Sequence, residues 1–142
     1  MSNSRLSWSG LRCPGDVPAL HGRMYWQGIG WCAVATIVWL SLTPNPPTPP
    51  DFLAWDKAQH ALAYAFLMYW FRQAFRRVWY WPAFLVGLGI GVEFVQGWGG
   101  VRQFDVGDML ANSVGVVLGY VAAATALGGF VAALDERLFA GG

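Results

Sequence analysis

Four long apolar stretches separated by short polar connections form the main pattern of the chain. They lie at Met24 to Leu42, Lys57 to Phe71, Val78 to Gln96 and Asp108 to Phe130. A bilayer core of roughly 30 Å needs about 20 helical residues, or a few less when polar residues flank the stretch. Each stretch is therefore predicted to be a membrane-spanning helix. The predicted fold is all-α, an integral membrane four-helix bundle.

The composition supports a membrane environment. Hydrophobic residues make up 56% of the 142 residues and charged residues only 12%, about half the charge of an average soluble domain. The formal net charge of +1 gives no reason to expect a nucleic-acid partner. Membrane lipids are the predicted partners, and no cofactor is expected.

The length allows one membrane domain with two tails. Residues 1–23 are predicted to be an N-terminal tail, 24–131 the four-helix domain and 132–142 a C-terminal tail. The first apolar stretch is too long for a signal peptide and lacks a cleavage site of small residues, so we expect it to remain as an anchor. Cys13 and Cys32 have no metal-binding or redox spacing, and both are predicted to be free thiols.

The basic residues predict the orientation, because cytoplasmic segments of membrane proteins accumulate Lys and Arg. Seven of the nine fall in the two tails and the second connection: Arg5, Arg12, Arg23, Arg72, Arg76, Arg77 and Arg137. Both termini are therefore predicted to be cytoplasmic, in a multi-pass membrane protein. Tryptophans near the helix ends are predicted to mark the two membrane interfaces.

Polar residues recur on one face of the second helix. Asp56, His60 and Tyr64 follow one another at intervals of four, and Lys57 precedes His60 by three. Residues three or four apart share a helix face. All four side chains are therefore predicted to point to one side, near the outer membrane boundary.

The third and fourth helices carry matching polar stripes. Glu93 and Gln96 are three apart, while Asp105, Asp108 and Asn112 are spaced by three and four. With both termini inside, the start of helix two, the end of helix three and the start of helix four all meet the outer interface. The three stripes are therefore predicted to line one outward-facing polar cavity.

Glu93 is predicted to be paired or protonated, since an unpaired charge at membrane depth costs about 2.5 to 3.5 kcal/mol on insertion scales. Arg102 is the favoured partner, because its guanidinium can hold a carboxylate through two parallel hydrogen bonds. Lys57 and His60 are the alternatives.

Glycines spaced four apart occur twice, at Gly87-Leu88-Gly89-Ile90-Gly91 and at Gly115-Val116-Val117-Leu118-Gly119. This spacing lets two helix backbones approach closely. It predicts helix packing, either within the chain or across a homodimer.

The same polar residues resemble the VanZ-like membrane protein family. The resemblance spans the motif region 56–119 and rests on Asp56-Lys57-x-x-His60-x-x-x-Tyr64, then Glu93-x-x-Gln96, then Arg102-x-x-Asp105-x-x-Asp108-x-x-x-Asn112-x-x-Gly115. It implies a bacterial integral membrane protein. The family is named for a member associated with low-level resistance to the glycopeptide antibiotic teicoplanin, which implies a link to resistance or to the cell envelope.

Two classes of function fit the polar residues, beside a purely structural network that locks three helices together. In the first, the cavity binds an anionic or amphiphilic envelope ligand such as a lipid-linked cell-wall precursor. Lys57 and Arg102 would hold its phosphate or carboxylate, and Tyr64, Gln96 and Asn112 would orient it. About ten polar groups exceed what one structural ion pair needs, which favours a site.

The alternative is a small membrane hydrolase in which His60 acts as general acid or base. No nucleophile is evident, so no catalytic residue is assigned. One histidine with several carboxylates could instead hold a divalent metal, whose activated water would replace a protein nucleophile. No metal is predicted, because Lys57 and Arg102 would oppose a cation. A proton-coupled transporter is a third possibility, which is disfavoured because the polar residues cluster at one end of the helices. His21 lies outside this set and is predicted to be solvated and without a role.

Overall fold

The computed structural model describes residues 19–44, 55–76, 79–100 and 104–139. This part of the chain is helical throughout, without strands. Its five α-helices and one short 3-10 helix, Ala126–Gly129, follow the chain order. The α-helices are α1 Arg23–Leu42, α2 Asp56–Ala74, α3 Trp81–Trp98, α4 Val106–Ala124 and α5 Phe130–Phe139. The predicted all-α class is confirmed.

The last apolar stretch differs from its predicted course. It is not one helix to Phe130, because α4 ends at Ala124. Thr125 adopts an extended backbone and its hydroxyl accepts a hydrogen bond from the Leu127 amide, which starts the 3-10 helix. The chain then turns into α5, which lies in the segment predicted to be a tail. The structure therefore has five helices instead of four.

The most extensive helix contact joins α2 and α4. At Gly115 and Gly119, a Cβ atom would collide with the backbone carbonyl groups of Ala61 and Ala65. Only glycine permits this approach, so the predicted close packing at these two glycines lies within the chain.

The apolar core surrounds α2 at the end of the bundle away from Asp56. Leu67, Met68 and Phe71 of α2 are fully buried, together with Leu85 of α3. Phe71 packs edge-on against Trp81, with ring centroids 4.6 Å apart. Trp81 is therefore part of the core and not of an interfacial belt.

The helix α5 is fastened to the start of α1 by one buried carboxylate. Asp135 Oδ1 accepts hydrogen bonds from the Gly22 amide at 2.8 Å and from Trp26 Nε1 at 2.7 Å. Asp135 Oδ2 accepts one from the His21 amide at 2.6 Å, and the ring Nδ1 of His21 lies 3.2 Å away. His21 was predicted to have no role, but its backbone amide and its ring both contact Asp135.

Polar side chains at the end of α2 also point inward. Arg72 donates to the Tyr120 carbonyl at 2.8 Å and stacks over the Tyr120 ring, 4.0 Å from its centroid. Gln73 Oε1 accepts a hydrogen bond from the Val131 amide. Arg72 therefore belongs to a helix and is buried, whereas the sequence placed it in a connection.

Candidate functional site

The polar stripes of α2, α3 and α4 meet at one end of the bundle, as the spacing predicts. Asp56, Lys57 and His60 lie in the first two turns of α2, while Glu93 and Gln96 lie near the end of α3. Asp105 precedes α4 and caps it, because its carboxylate accepts a hydrogen bond from the Gly107 amide at 2.6 Å. We call the described members of this group the polar cluster: Asp56, Lys57, His60, Glu93, Gln96, Asp105, Asp108 and Asn112.

Lys57 bridges two aspartates at the mouth of the polar cluster. Its ammonium lies 2.5 Å from Asp105 Oδ2 and 2.9 Å from Asp108 Oδ1. The hydrogen bond from Lys57, followed by the one from Gly107, lowers the pKa of Asp105 below its usual value. A Cβ at Gly107 would lie 2.6 Å from the ammonium, so glycine there leaves room for the lysine. The sequence analysis did not single out Gly107.

His60 sits deeper, between two residues of α4. Its Nδ1 lies 3.1 Å from Asn112 Oδ1, and its Nε2 lies 3.6 Å from Asp108 Oδ2. Only 10% of the His60 side chain and 7% of the Asp108 side chain are exposed. Because an amide oxygen can only accept, this contact assigns the ring proton to Nδ1. Nε2 then faces Asp108.

Glu93 is completely buried, at 0% exposure. Its Oε2 accepts a hydrogen bond from the Asp105 amide at 3.3 Å, which links the end of α3 to the start of α4. The predicted partner Arg102 lies outside the described residues. Lys57, the second candidate, forms ion pairs with the two aspartates of α4.

Gln96 connects the polar cluster to α1, and Tyr64 borders it. Gln96 Nε2 donates to the Ser41 carbonyl at the end of α1, at 2.7 Å. Tyr64, one turn below His60, is buried in the apolar core. Gly89 of α3 faces Asn112, where a Cβ would lie 2.9 Å from the amide nitrogen. All four long helices therefore take part in positioning the site.

The donor atoms of the polar cluster suit acid–base or metal chemistry better than nucleophilic attack. Asp56, His60 and Asp108 each offer one ligand atom, and these atoms lie within 4.8 Å of one another. Ser113, the only serine, threonine or cysteine in the motif region 56–119, donates to the Met109 carbonyl of its own helix. An activated water would have to replace a protein nucleophile here.

Fold and composition together suggest the class of protein. Among the described residues one helix, α4, has the length and hydropathy to cross a membrane. This helix and the apolar composition suggest a membrane protein.

The comparison with protein families identifies the family of this protein. The profile of the VanZ/LLP1 family matches residues 21–127, most of the chain. The protein belongs to the VanZ/LLP1 family, which confirms the resemblance found in the sequence. Neither a curated protein nor a solved structure matches the chain significantly.

Proposed function

We propose that residues 24–131 form a multi-pass domain of the bacterial inner membrane, with four membrane helices and both termini in the cytoplasm. In this proposal the polar cluster faces outward and binds the anionic headgroup of an amphiphilic envelope ligand. The observation that carries it is the distribution of side chains. Large apolar residues cover the outside of the helices, whereas carboxylates and amides are buried within.

The fourth helix shows this distribution clearly. Leu110 is 63% exposed and Val117 is 61% exposed, while Asp108 and Asn112 of the same helix are buried. In water, exposed apolar surface of this extent is unfavourable. In lipid it is not, because the surrounding chains are as apolar as the side chains. The core helix of a soluble protein is mostly buried, but only 28% of α4 is.

Exposed tryptophans lie at both ends of the proposed membrane domain. Trp39, Trp55 and Trp98 are exposed at the end that carries the polar cluster, and Trp79 is exposed before α3 at the opposite end. Tryptophan is enriched at both membrane interfaces. These positions fit two interfaces separated by the length of the helices.

The polar cluster suits an amphiphile because polar and apolar surfaces adjoin there. Lys57, whose side chain is 36% exposed, offers its ammonium at the mouth while it remains bound to Asp105 and Asp108. Leu110 lies exposed on the same helix as Asp108. A phosphate headgroup would contact Lys57, and its acyl or prenyl chain would lie along α4. We propose Arg102 as a second contact to the headgroup.

The orientation is tested by single cysteines in a variant whose Cys13 and Cys32 are replaced by serine. We expect Gly99→Cys to react with a membrane-impermeant thiol reagent in intact cells, and Trp79→Cys to react only after the membrane is opened. Both positions are exposed, so access depends on the side of the membrane. Labelling of Trp79→Cys in intact cells would contradict the proposed orientation.

Ligand binding is tested by native mass spectrometry of the full chain purified in mild detergent. We expect a copurified phosphate-containing lipid, either a phospholipid or a lipid-linked saccharide, which the measured mass distinguishes. In Lys57→Met the bound fraction should fall several-fold, because the headgroup loses its counter-charge. Glu136→Gln, on the exposed side of α5, is the control. Equal occupancy in Lys57→Met and the control would contradict the proposal.

A small membrane hydrolase is the second candidate, and the position of His60 favours it. Its buried ring is oriented by Asn112 and faces Asp108, as a general base or a metal ligand requires. Release of a water-soluble headgroup from the copurified lipid, lost in His60→Gln, would support this candidate over simple binding.

We also propose a homodimer through α3. Gly87 and Gly91 share one face, and a Cβ at either would meet nothing within 4 Å in the described part of the chain. This open pair of small residues suits a helix from a second copy. The native mass spectrum reports the oligomeric state, and a strictly monomeric species would contradict it.

A further inference from the structure

The most specific juxtaposition in the polar cluster is that of Asp56, His60 and Asp108. We infer that these three side chains bind one first-row divalent cation such as Zn²⁺. This inference rests on the proposed function and concerns the same polar cluster. The cation would add a positive charge there that can hold a phosphate headgroup. The sequence analysis expected no metal, because it counted Lys57 and Arg102 as opposing cations.

The donor set comes from two helices in fixed register. Asp56 and His60 lie four residues apart on α2, so both face the same side, and Asp108 lies opposite on α4. One imidazole and two carboxylates are ligand types that bind zinc, and they equal catalytic zinc sites in the number of protein ligands, three, which leaves a further position open for water or substrate.

The orientation of His60 provides independent support. The contact between Nδ1 and Asn112 Oδ1 orients the ring so that Nδ1 is the donor and Nε2 faces Asp108. Metal-bound histidines usually donate their second ring N–H to a carbonyl or carboxylate oxygen in this way. The structure therefore directs Nε2 of an almost fully buried side chain into the space beside Asp108.

The distance between His60 Nε2 and Asp108 Oδ2 also fits a cation better than a direct hydrogen bond. At 3.6 Å the two atoms are too far apart for a hydrogen bond. Two ligands that each lie about 2.1 Å from a tetrahedral ion are roughly 3.4 Å apart. All ligand atoms of the set lie within 4.8 Å of one another, so any two of them must approach each other by at most roughly 1.4 Å to bind a tetrahedral ion. The position of Asp56 in the first, partly exposed turn of α2 allows such a movement.

The charges of the surrounding groups favour the ion. Lys57 contacts Oδ1 of Asp108, whereas His60 faces Oδ2, so lysine and cation would use different oxygens of one carboxylate. Among four neighbouring groups, three carry a negative charge, Asp56, Asp105 and Asp108, and one carries a positive charge, Lys57. A divalent cation balances this excess of two negative charges. Lys57 therefore does not exclude the cation.

The test uses the full chain in detergent, stripped of metal with a chelator and titrated with Zn²⁺ by calorimetry. We expect about one Zn²⁺ per chain. The affinity for Zn²⁺ should fall at least 10-fold in His60→Gln and in Asp108→Asn, which each remove a ligand. It should fall by about 10- to 100-fold in Asn112→Ala, because the ring of His60 loses the hydrogen bond that orients it. His21→Gln changes the other histidine of the chain and serves as the control. Helical circular dichroism identifies any variant that fails to fold.

Two further measurements keep the outcomes distinct. Cobalt(II) added to the stripped wild-type protein should give a visible absorption band that Zn²⁺ abolishes, which requires no variant. Absence of saturable Zn²⁺ binding, or equal affinity in His60→Gln and His21→Gln, would overturn the inference. Lipid that copurifies equally with the metal-stripped protein would support the proposed lipid binding and contradict a metal that holds the headgroup. Zn²⁺ binding by a protein that copurifies no lipid would support the metal site and contradict the proposed lipid binding.

Discussion

Replacing Gly115 and Gly119 of α4 by alanine is expected to cause the largest loss of stability of any small substitution in this chain. Each added methyl group would collide with a backbone carbonyl of α2, at Ala61 and Ala65. Backbone atoms cannot move aside as flexible side chains do. Overpacking of this kind costs about 1 to 3 kcal/mol per site. We expect the double variant to lose most of its folded fraction in detergent, measured by size-exclusion profile and thermal unfolding.

The matched control for this substitution is Gly87→Ala with Gly91→Ala. These glycines have the same spacing in α3, but an added Cβ meets nothing within 4 Å in the described part of the chain. Alanine favours a helix over glycine by about 1 kcal/mol, so the fold of the single chain should be as stable in the control as in the wild type or slightly more so, even where the added methyl groups weaken the proposed homodimer. Equal stability of the two double variants would contradict the close approach of α2 and α4.

The helices were predictable because the apolar stretches are long and their polar boundaries are clear. The convergence of α2 and α4 was predictable from spacing alone, since Asp56 and His60 define one face and Asp108 and Asn112 define another. The resemblance to the family rested on the same residues, and the family assignment confirms it.

The individual contacts within the polar cluster were not predictable. Glu93 accepts a hydrogen bond from the backbone amide of Asp105, a contact that helical spacing does not give, while its favoured partner Arg102 lies outside the described residues. Lys57 instead bridges Asp105 and Asp108. Helical spacing gives the face on which a side chain lies, but the choice among several carboxylates depends on the distance between helices. That distance is set by the glycine contacts.

The fifth helix was missed for a different reason. Its 10 residues are too short to span a membrane, so a search for membrane helices treats them as a tail. A signal was nevertheless present, because Val131, Leu134 and Leu138 are spaced by three and four as on one helix face. Its partner residues His21 and Gly22 are more than 100 positions away, and no local pattern connects them to Asp135.

The contact of α5 with α1 depends on Asp135, and Asp135→Asn is expected to weaken it strongly. Burial of Asp135 disfavours the carboxylate, but hydrogen bonds from Trp26, Gly22 and His21 outweigh this effect and lower its pKa from 3.8 to about 2. The carboxylate also lies at the start of α1, where the helix dipole favours a negative charge. At pH 7 we expect the variant to unfold on the order of 5 °C below the wild type.

This difference should depend on pH in a defined direction. Because folding lowers the pKa of Asp135, its stabilising effect is complete above pH 3.8 and is lost as the pH falls through about 2. Thermal unfolding of the wild type and Asp135→Asn should therefore converge toward pH 2 and stay apart from pH 5 to 8. Glu136→Gln, on the exposed side of the same helix, controls for the loss of one negative charge and should unfold like the wild type. A constant gap between wild type and Asp135→Asn down to pH 2, or a gap of the same size in Glu136→Gln, would show that the buried carboxylate does not hold α5 against α1.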